Sequence, residues 1–248
     1  MISENSTEQL KQLWQEAFGD SPKFIGDFFR LADVPEHCRV LWQDGTAAAA
    51  LYWFDCTCRG EPMAYLYAVS TGIRFRHRGL CRVLLEETLE ALTRRGYCAA
   101  LLSPASAGLQ EMYRKMGFSP TCALTFREAS SGNAAVSVRE VTPEAYTTAR
   151  LSLLPPDGVQ QSLPFFRILN LDSGLYIGPG FVLAARQNGD VLDVQEFLGD
   201  FSVVPGILTT LGCRSGRFPC PGGTDAPVFI RVLSPAAPVP GYFGPVLD

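Results

Sequence analysis

The stretch Arg76-His77-Arg78-Gly79-Leu80-Cys81 sets basic side chains against a glycine just ahead of a segment with helical spacing, and Arg74 adds charge to the same loop. A turn at a helix start offers unpaired backbone N–H groups and the positive end of the helix dipole, and a glycine there lets the backbone come close to a ligand. That combination cradles a pyrophosphate. Further along, Tyr113 opens Tyr113-Arg114-Lys115-Met116-Gly117-Phe118 and carries a hydroxyl able to donate a proton. Cys81 admits two readings: a thiol made nucleophilic by the helix start and the arginines, or a small side chain filling a tight slot.

The elements that must hold these residues follow from the pattern. Tyr65-Leu66-Tyr67-Ala68-Val69-Ser70-Thr71 is rich in aromatic and β-branched residues, as a strand should be. Leu80, Val83, Leu84, Ala91 and Leu92 then fall near helical spacing, with Glu86, Glu87, Glu90, Arg94 and Arg95 on other faces, until Gly96 ends the helix. Upstream, Ser6 or Thr7 caps a helix carrying Leu10, Leu13, Trp14 and Phe18, which Gly19-Asp20-Ser21-Pro22 ends. A short helix with Phe24, Ile25, Phe28 and Phe29 follows. Strands over 39–43 and 47–58 meet at Asp44-Gly45, a strong hairpin signal, and Arg59-Gly60-Glu61-Pro62 turns the chain into the strand at Tyr65. Beyond the loop and its helix come a strand over 97–103, a helix over 107–116 and a strand over 121–127.

Taken together, the two motifs resemble those of the GCN5-related N-acetyltransferase family: an acyl-CoA motif Gln/Arg-x-x-Gly-x-Gly/Ala, here Arg76 to Cys81, and a helix ending Tyr-x-x-x-Gly-Phe, here Tyr113 to Phe118. The resemblance implies an α/β (α+β) fold with a mixed central sheet flanked by helices. It implies acetyl-CoA as co-substrate, and direct attack of a primary amine on the thioester without an acyl-enzyme. Pantetheine would lie where the parallel strands ending near Thr71 and Ser103 splay, with the Val69 backbone polarising the carbonyl and Tyr113 protonating the sulfur. Cofactor contacts are thereby expected from Ala68, Val69, Thr71, Arg74, Arg76, His77, Arg78, Gly79, Leu80 and Cys81. The family does not require a cysteine at the Cys81 slot. Where it often has an asparagine before the tyrosine, this chain reads Pro104-Ala105-Ser106-Ala107-Gly108, so Ser106 takes that contact or it is missing. The family's usual first strand is also missing, since the chain opens into a helix.

Ala129-Ser130-Ser131-Gly132-Asn133-Ala134-Ala135 reads as a linker, dividing the chain into an acetyl-CoA-binding domain over 1–129 and a second domain over 130–248. The second half offers a strand over 136–141, a helix opened by Thr142-Pro143-Glu144, strands over 181–186 and 191–198 flanking Asn188-Gly189, a helix over 203–211 and a strand over 228–232. This order echoes the first half without its Arg-x-x-Gly motif. The second domain is therefore read as a degenerate acetyltransferase-like repeat, similar to tandem members such as the enhanced-intracellular-survival type.

The acceptor's base is less visible: Glu61, Asp55 and Glu196 are candidates. The apolar end Pro240-Gly241-Tyr242-Phe243-Gly244-Pro245-Val246-Leu247-Asp248 reads as docked rather than frayed. In some tandem members of the family the terminal carboxylate serves as base, a role that would fall to Asp248. At 248 residues and 47% hydrophobic content the chain can build proper cores, and a net charge of −4 argues against nucleic acid as partner. No apolar run reaches a membrane span, and Met1-Ile2-Ser3-Glu4-Asn5 lacks signal-peptide features, so a cytoplasmic protein with reduced cysteines is expected. Cys56-Thr57-Cys58 puts both thiols on one strand face with no second ligand pair nearby, so no metal site is expected. The partner is a small-molecule or peptide amine; a homo-oligomer is compatible with all of this. A non-catalytic acyl-CoA sensor is the alternative. An aminoacyl or peptidyl transferase using charged tRNA is disfavoured by the acidic balance and the intact loop.

Overall fold

Two helices come first, and a cap explains where the second one starts. The computed structural model describes residues 4–223 and 228–247. Helix α1 (Glu4–Phe18) buries Leu10, Leu13 and Trp14; α2 (Pro22–Leu31) starts with Pro22 at its first turn and with the Ser21 side chain accepting the Phe24 N–H. The Trp14 ring lies 4.4 Å from that of Phe28 and 5.1 Å from that of Tyr52, which fixes both helices on the sheet.

Strands β1 (Cys38–Gln43) and β2 (Thr46–Cys58) turn at Asp44-Gly45, both residues having positive φ as the expected tight hairpin requires. Strand β3 (Glu61–Thr71) leads through a 3-10 turn (Ile73–Phe75) into α3 (Leu80–Arg94); β4 (Ala99–Leu102), α4 (Ala107–Lys115), β5 (Ser119–Cys122) and β6 (Leu124–Ser130) follow. The remainder runs β7 (Arg139–Glu140), α5 (Pro143–Leu151), β8 (Val159–Gln161), α6 (Leu163–Leu169), β9 (Gly174–Gly178), β10 (Phe181–Asn188), β11 (Val191–Leu198), a 3-10 turn (Phe201–Val203), α7 (Val204–Leu211), β12 (Ser215–Pro221) and β13 (Val228–Val232). Among the described residues no strand precedes α1.

Two mixed sheets result, ordered β1-β2-β3-β4-β13-β5, with β8 added to β2, and β6-β12-β11-β10-β9-β7. Their ladders match. In the first, β1, β2 and β3 are antiparallel, β3 and β4 parallel, and β13 antiparallel to β4. In the second, β9, β10 and β11 are antiparallel, β11 and β12 parallel, and β6 antiparallel to β12. A 3-10 turn and a helix bridge each parallel pair. The second half thus repeats the architecture of the first, on a sequence that lacks the basic loop: its turn carries Asp200, whose side chain accepts the Ser202 N–H at 2.9 Å.

The halves exchange strands, which corrects the expected linker and boundary. Position 129/130 lies inside β6, a strand of the second sheet, while β13 returns from the far end of the chain to sit between β4 and β5. The small residues Ala129 and Ser130 read as linker, yet their backbones are paired with Gly216 and Ser215. Likewise, the strand expected over 136–141 shrinks to Arg139–Glu140.

Side-chain alternation divides the interior into layers. Trp14, Phe54, Tyr65, Phe165, Val182 and Phe243 belong to a core shared by both halves. The opposite faces pack separately, Leu51, Leu66 and Phe229 with Leu84 and Leu92 of α3, and Leu183, Leu192 and Phe218 with Ile207 and Leu208 of α7. No helix among the described residues is long and apolar enough to cross a membrane, and the eight cysteines are all unpaired thiols.

Candidate functional site

The loop between β3 and α3 is shaped by two left-handed residues, His77 at φ 61° and Gly79 at φ 77°. Gly79 is the N-cap of α3; its carbonyl accepts from Arg82 N–H at 3.0 Å and Val83 N–H at 3.2 Å, and no side chain caps the helix. The Leu80 and Cys81 N–H groups belong to the first turn and have no intrahelical acceptor, so the helix start is open to an anion. A Cβ built on Gly79 meets nothing within 4 Å, so there is room outside the turn. Arg76 is held by its Nε, which donates to the Thr71 carbonyl at 3.2 Å. Arg74 and Arg78 instead flank the Phe75 ring at 5.9 and 5.6 Å.

Strand β3 is broken at a bulge. Ala50 pairs with Ser70 but Tyr52 with Tyr67, leaving Ala68 and Val69 opposite Leu51, and Ala68 has φ 49°. On its other edge β3 pairs with β4 only through Met63, Ala64 and Tyr65, whereas the strand runs on to Thr71. The two parallel strands therefore part beyond Tyr65. A cavity of about 660 Å³ opens there, lined by the β3 stretch from Tyr65 to Thr71, by Leu102, Ser103, Pro104 and Ala105 after β4, by Arg76 and Cys81, and by Leu109, Met112 and Tyr113 of α4. Trp14, Ala17, Phe18 and Asp20, with Val246 and Leu247, complete the wall.

Of the residues singled out in the sequence, Ala68, Val69, Thr71, Arg76, Cys81 and Tyr113 meet at this cavity, while His77, Arg78, Gly79 and Leu80 form the turn beside it. Arg74 lies on a separate shallow groove with Gln9 and Glu16 of α1. Ser106 does not line the cavity, because its hydroxyl caps α4 by accepting the Leu109 N–H at 3.3 Å; an open helix start takes the nearest small polar side chain.

Tyr113 is 6% exposed and packs edge-on against Phe118 at 5.7 Å. Burial pushes its hydroxyl pKa well up, and the neighbouring Cys81 and Tyr65 push the same way, so the group is a neutral donor at physiological pH. Burial likewise raises the Cys81 thiol, which argues against the nucleophilic reading and leaves it as the small residue of the first turn.

The expected bases lie elsewhere. Asp55 accepts from His37 Nε2 at 3.1 Å and from the Tyr97 hydroxyl at 2.5 Å; Glu61 starts β3 in solvent; Glu196 is fully buried against Arg150. None of them lines the cavity. Asp248 lies outside the described residues, although Val246 and Leu247 line the cavity and the Phe243 ring packs 4.9 Å from that of Tyr65. The carboxylate that does line it is Asp20, whose Oδ2 accepts from Trp14 Nε1 at 2.7 Å. In sequence Asp20 is only part of a helix stop, and nothing local marks it as facing a ligand.

Residues 1–121 match the family model described as an acetyltransferase (GNAT) domain. Among solved structures, the chain resembles a GCN5-related N-acetyltransferase from Anabaena variabilis, with 15% identity and a TM-score of 0.74 over 94% of this chain and 72% of that one. Eis1 from Mycobacterium abscessus is similar at 12% identity and a TM-score of 0.69, covering 94% and 73%. A tandem GNAT protein from the clavulanic acid biosynthesis pathway is similar at 11% identity and a TM-score of 0.56, covering 95% and 97%. Likeness at these identities shows the fold. No curated protein matches the sequence.

Proposed function

From a chain whose first half is a GNAT acetyltransferase domain and whose two sheets share the GNAT fold, we propose an N-acetyltransferase that moves an acetyl group from acetyl-CoA to a primary amine by direct attack. The observation that carries this reading is the juxtaposition of the uncapped α3 start, the splayed β3 and β4 strands and Tyr113 around one cavity. The pyrophosphate takes the N–H groups at the helix start, assisted by Arg76. The pantetheine pairs with the β3 edge that β4 leaves free, and the Val69 backbone at the bulge polarises the thioester carbonyl.

The amine nitrogen forms the new N–C bond as the C–S bond breaks, and the electron pair passes to sulfur. Tyr113, kept protonated by burial, gives the thiolate its proton. The proton lost from nitrogen goes to a carboxylate or to water; the Asp248 carboxylate, next in sequence to the cavity-lining Leu247, is proposed for that role. Acid and base then stand on different parts of the chain. The second, repeat-like half holds no basic loop, so one acetyl-CoA per chain is expected, in the cytoplasm, with no metal and no nucleic acid.

Calorimetry with acetyl-CoA tests the donor site. Wild type should bind one equivalent and Gly79→Glu none, since a carboxylate would sit where the pyrophosphate does and the left-handed backbone at that position disfavours any side chain. Undiminished affinity in Gly79→Glu sinks the assignment. Binding without thiol release on any amine points to the sensor alternative.

A further inference from the structure

One part of the cavity wall makes no donor contact in the reading above. It consists of Trp14, Phe18 and Asp20 around the α1–α2 turn, Tyr67 on β3, and Val246 and Leu247. Asp20 is the only carboxylate lining the cavity among the described residues, and Arg76 the only other charged side chain there. The indole N–H of Trp14 holds one carboxylate oxygen at 2.7 Å, which fixes the group's orientation; the other accepts no hydrogen bond from a described residue. From Asp20 an aromatic wall leads inward: the Trp14 and Tyr67 rings are 5.8 Å apart and those of Tyr67 and Tyr65 6.5 Å. Tyr65 lies close enough to Tyr113 to raise its pKa.

We propose that this wall is the acceptor subsite and that it takes a primary amine carried on an apolar body, aromatic or aliphatic. The incoming ammonium pairs with the Asp20 oxygen that Trp14 does not hold and lies against the Trp14 and Tyr67 rings, a carboxylate and aromatic faces together being suited to a cation; it gives its proton to the base or water named above before the neutral nitrogen passes along the wall to the thioester. The body lies on Phe18, Val246 and Leu247. Polyhydroxylated amines fit poorly, because hydroxyls placed against these side chains lose water and gain no partner. Free α-amino acids fit poorly as well, because their carboxylate would approach Asp20. Phe18 is 46% exposed, so the body enters from the rim. The proposal rests on the acyl-transfer reading for its chemistry.

The experiment measures acetyl-CoA-dependent acetylation of 2-phenylethylamine, hexylamine, glucosamine and glycine by wild type, Asp20→Asn and Phe18→Ser. The first two amines should exceed the last two in kcat/KM by at least about tenfold, of the order expected when apolar surface is buried rather than polar groups stranded. Asp20→Asn should raise KM for both favoured amines by about tenfold or more and leave the acetyl-CoA Kd, measured by calorimetry, unchanged. Preference for glucosamine or glycine overturns the proposal, as does a wild-type KM in Asp20→Asn. If Asp20→Asn does not fold, an unchanged KM for hexylamine in Phe18→Ser overturns it instead, and a raised one upholds it. Should no amine be acetylated, the acyl-transfer reading fails, and calorimetry with 2-phenylethylamine alone decides the subsite: binding to wild type but not to Asp20→Asn upholds it, and no binding to wild type overturns it.

Discussion

Arg150 and Glu196 face each other with both side chains fully buried, Nε to Oε2 at 2.8 Å and Nη2 to Oε1 at 2.9 Å. The hydroxyls of Tyr146 and Tyr242 donate to the same carboxylate at 2.8 and 2.9 Å, while Arg150 also donates to the carbonyls of Val159 and Gly244 and to Gln160. The pair therefore ties α5, β8 and β11 to the segment that continues into the cavity-lining Val246 and Leu247. Two charges survive in this interior because their bonding capacity is so fully used.

Removing one partner strands the other. Glu196→Leu should lower unfolding free energy by about 3–5 kcal/mol in denaturant titrations, the range for an uncompensated buried charge. The double variant Arg150→Met with Glu196→Leu should recover much of that loss. A double variant as unstable as the single one would show that the pair's worth lies in its geometry with the tyrosines and the tail.

Tyr113→Phe should retain acetyl-CoA affinity in calorimetry and slow turnover by about a hundredfold, on an amine for which chemistry limits the rate. The hydroxyl is the only group removed, and the ring keeps its edge contact with Phe118. A rate equal to wild type would reduce Tyr113 to a packing residue.

Cys81 should stay protonated through neutral pH, since burial raises its pKa above the ordinary thiol value. Iodoacetamide at pH 7 should therefore modify it more slowly than a free thiol of glutathione, by mass spectrometry of the peptide, and Cys81→Ala should keep its turnover. Fast alkylation together with loss of activity in the alanine variant would revive a nucleophilic role.

Stability should carry the signature of His37 and Asp55. The hydrogen bond that His37 donates to the Asp55 carboxylate is the main cause both of raising the His37 pKa above its ordinary 6.5 and of lowering that of Asp55 below its ordinary 3.8. The histidine's contribution is full below 6.5 and is lost as pH rises through its raised value; the aspartate's is full above 3.8 and is lost as pH falls through its lowered value. Asp55→Asn should thus depress the melting temperature more at pH 5.5 than at pH 9. Equal depression at both would mean that the short Tyr97 bond, rather than the ion pair, supplies the effect.

What could be read from residues in order was what short-range chemistry sets. Asp44-Gly45 makes a hairpin, Gly189 with Asp190 makes a second one residue beyond the expected Asn188-Gly189, Ser21 and Thr142 cap helices, and Gly79 turns the chain into α3, because each outcome depends on φ, ψ and hydrogen bonds within a few residues. The paired motifs around Gly79 and Tyr113 are legible for the same reason, each being a local turn or helix end. Strand order is not local. Nothing in Leu124–Ser130 says that it leaves its own half for the second sheet, or in Val228–Val232 that it completes the first, since either edge would satisfy the same apolar alternation. Tertiary packing also decided that Glu196 is a buried tie rather than a solvated acid, that Ser106 is consumed as a cap, and that Asp20, six residues beyond the Trp14 that holds it, faces the cavity. A charge's role depends on what surrounds it in space, and those surroundings came here from elements far apart in the chain.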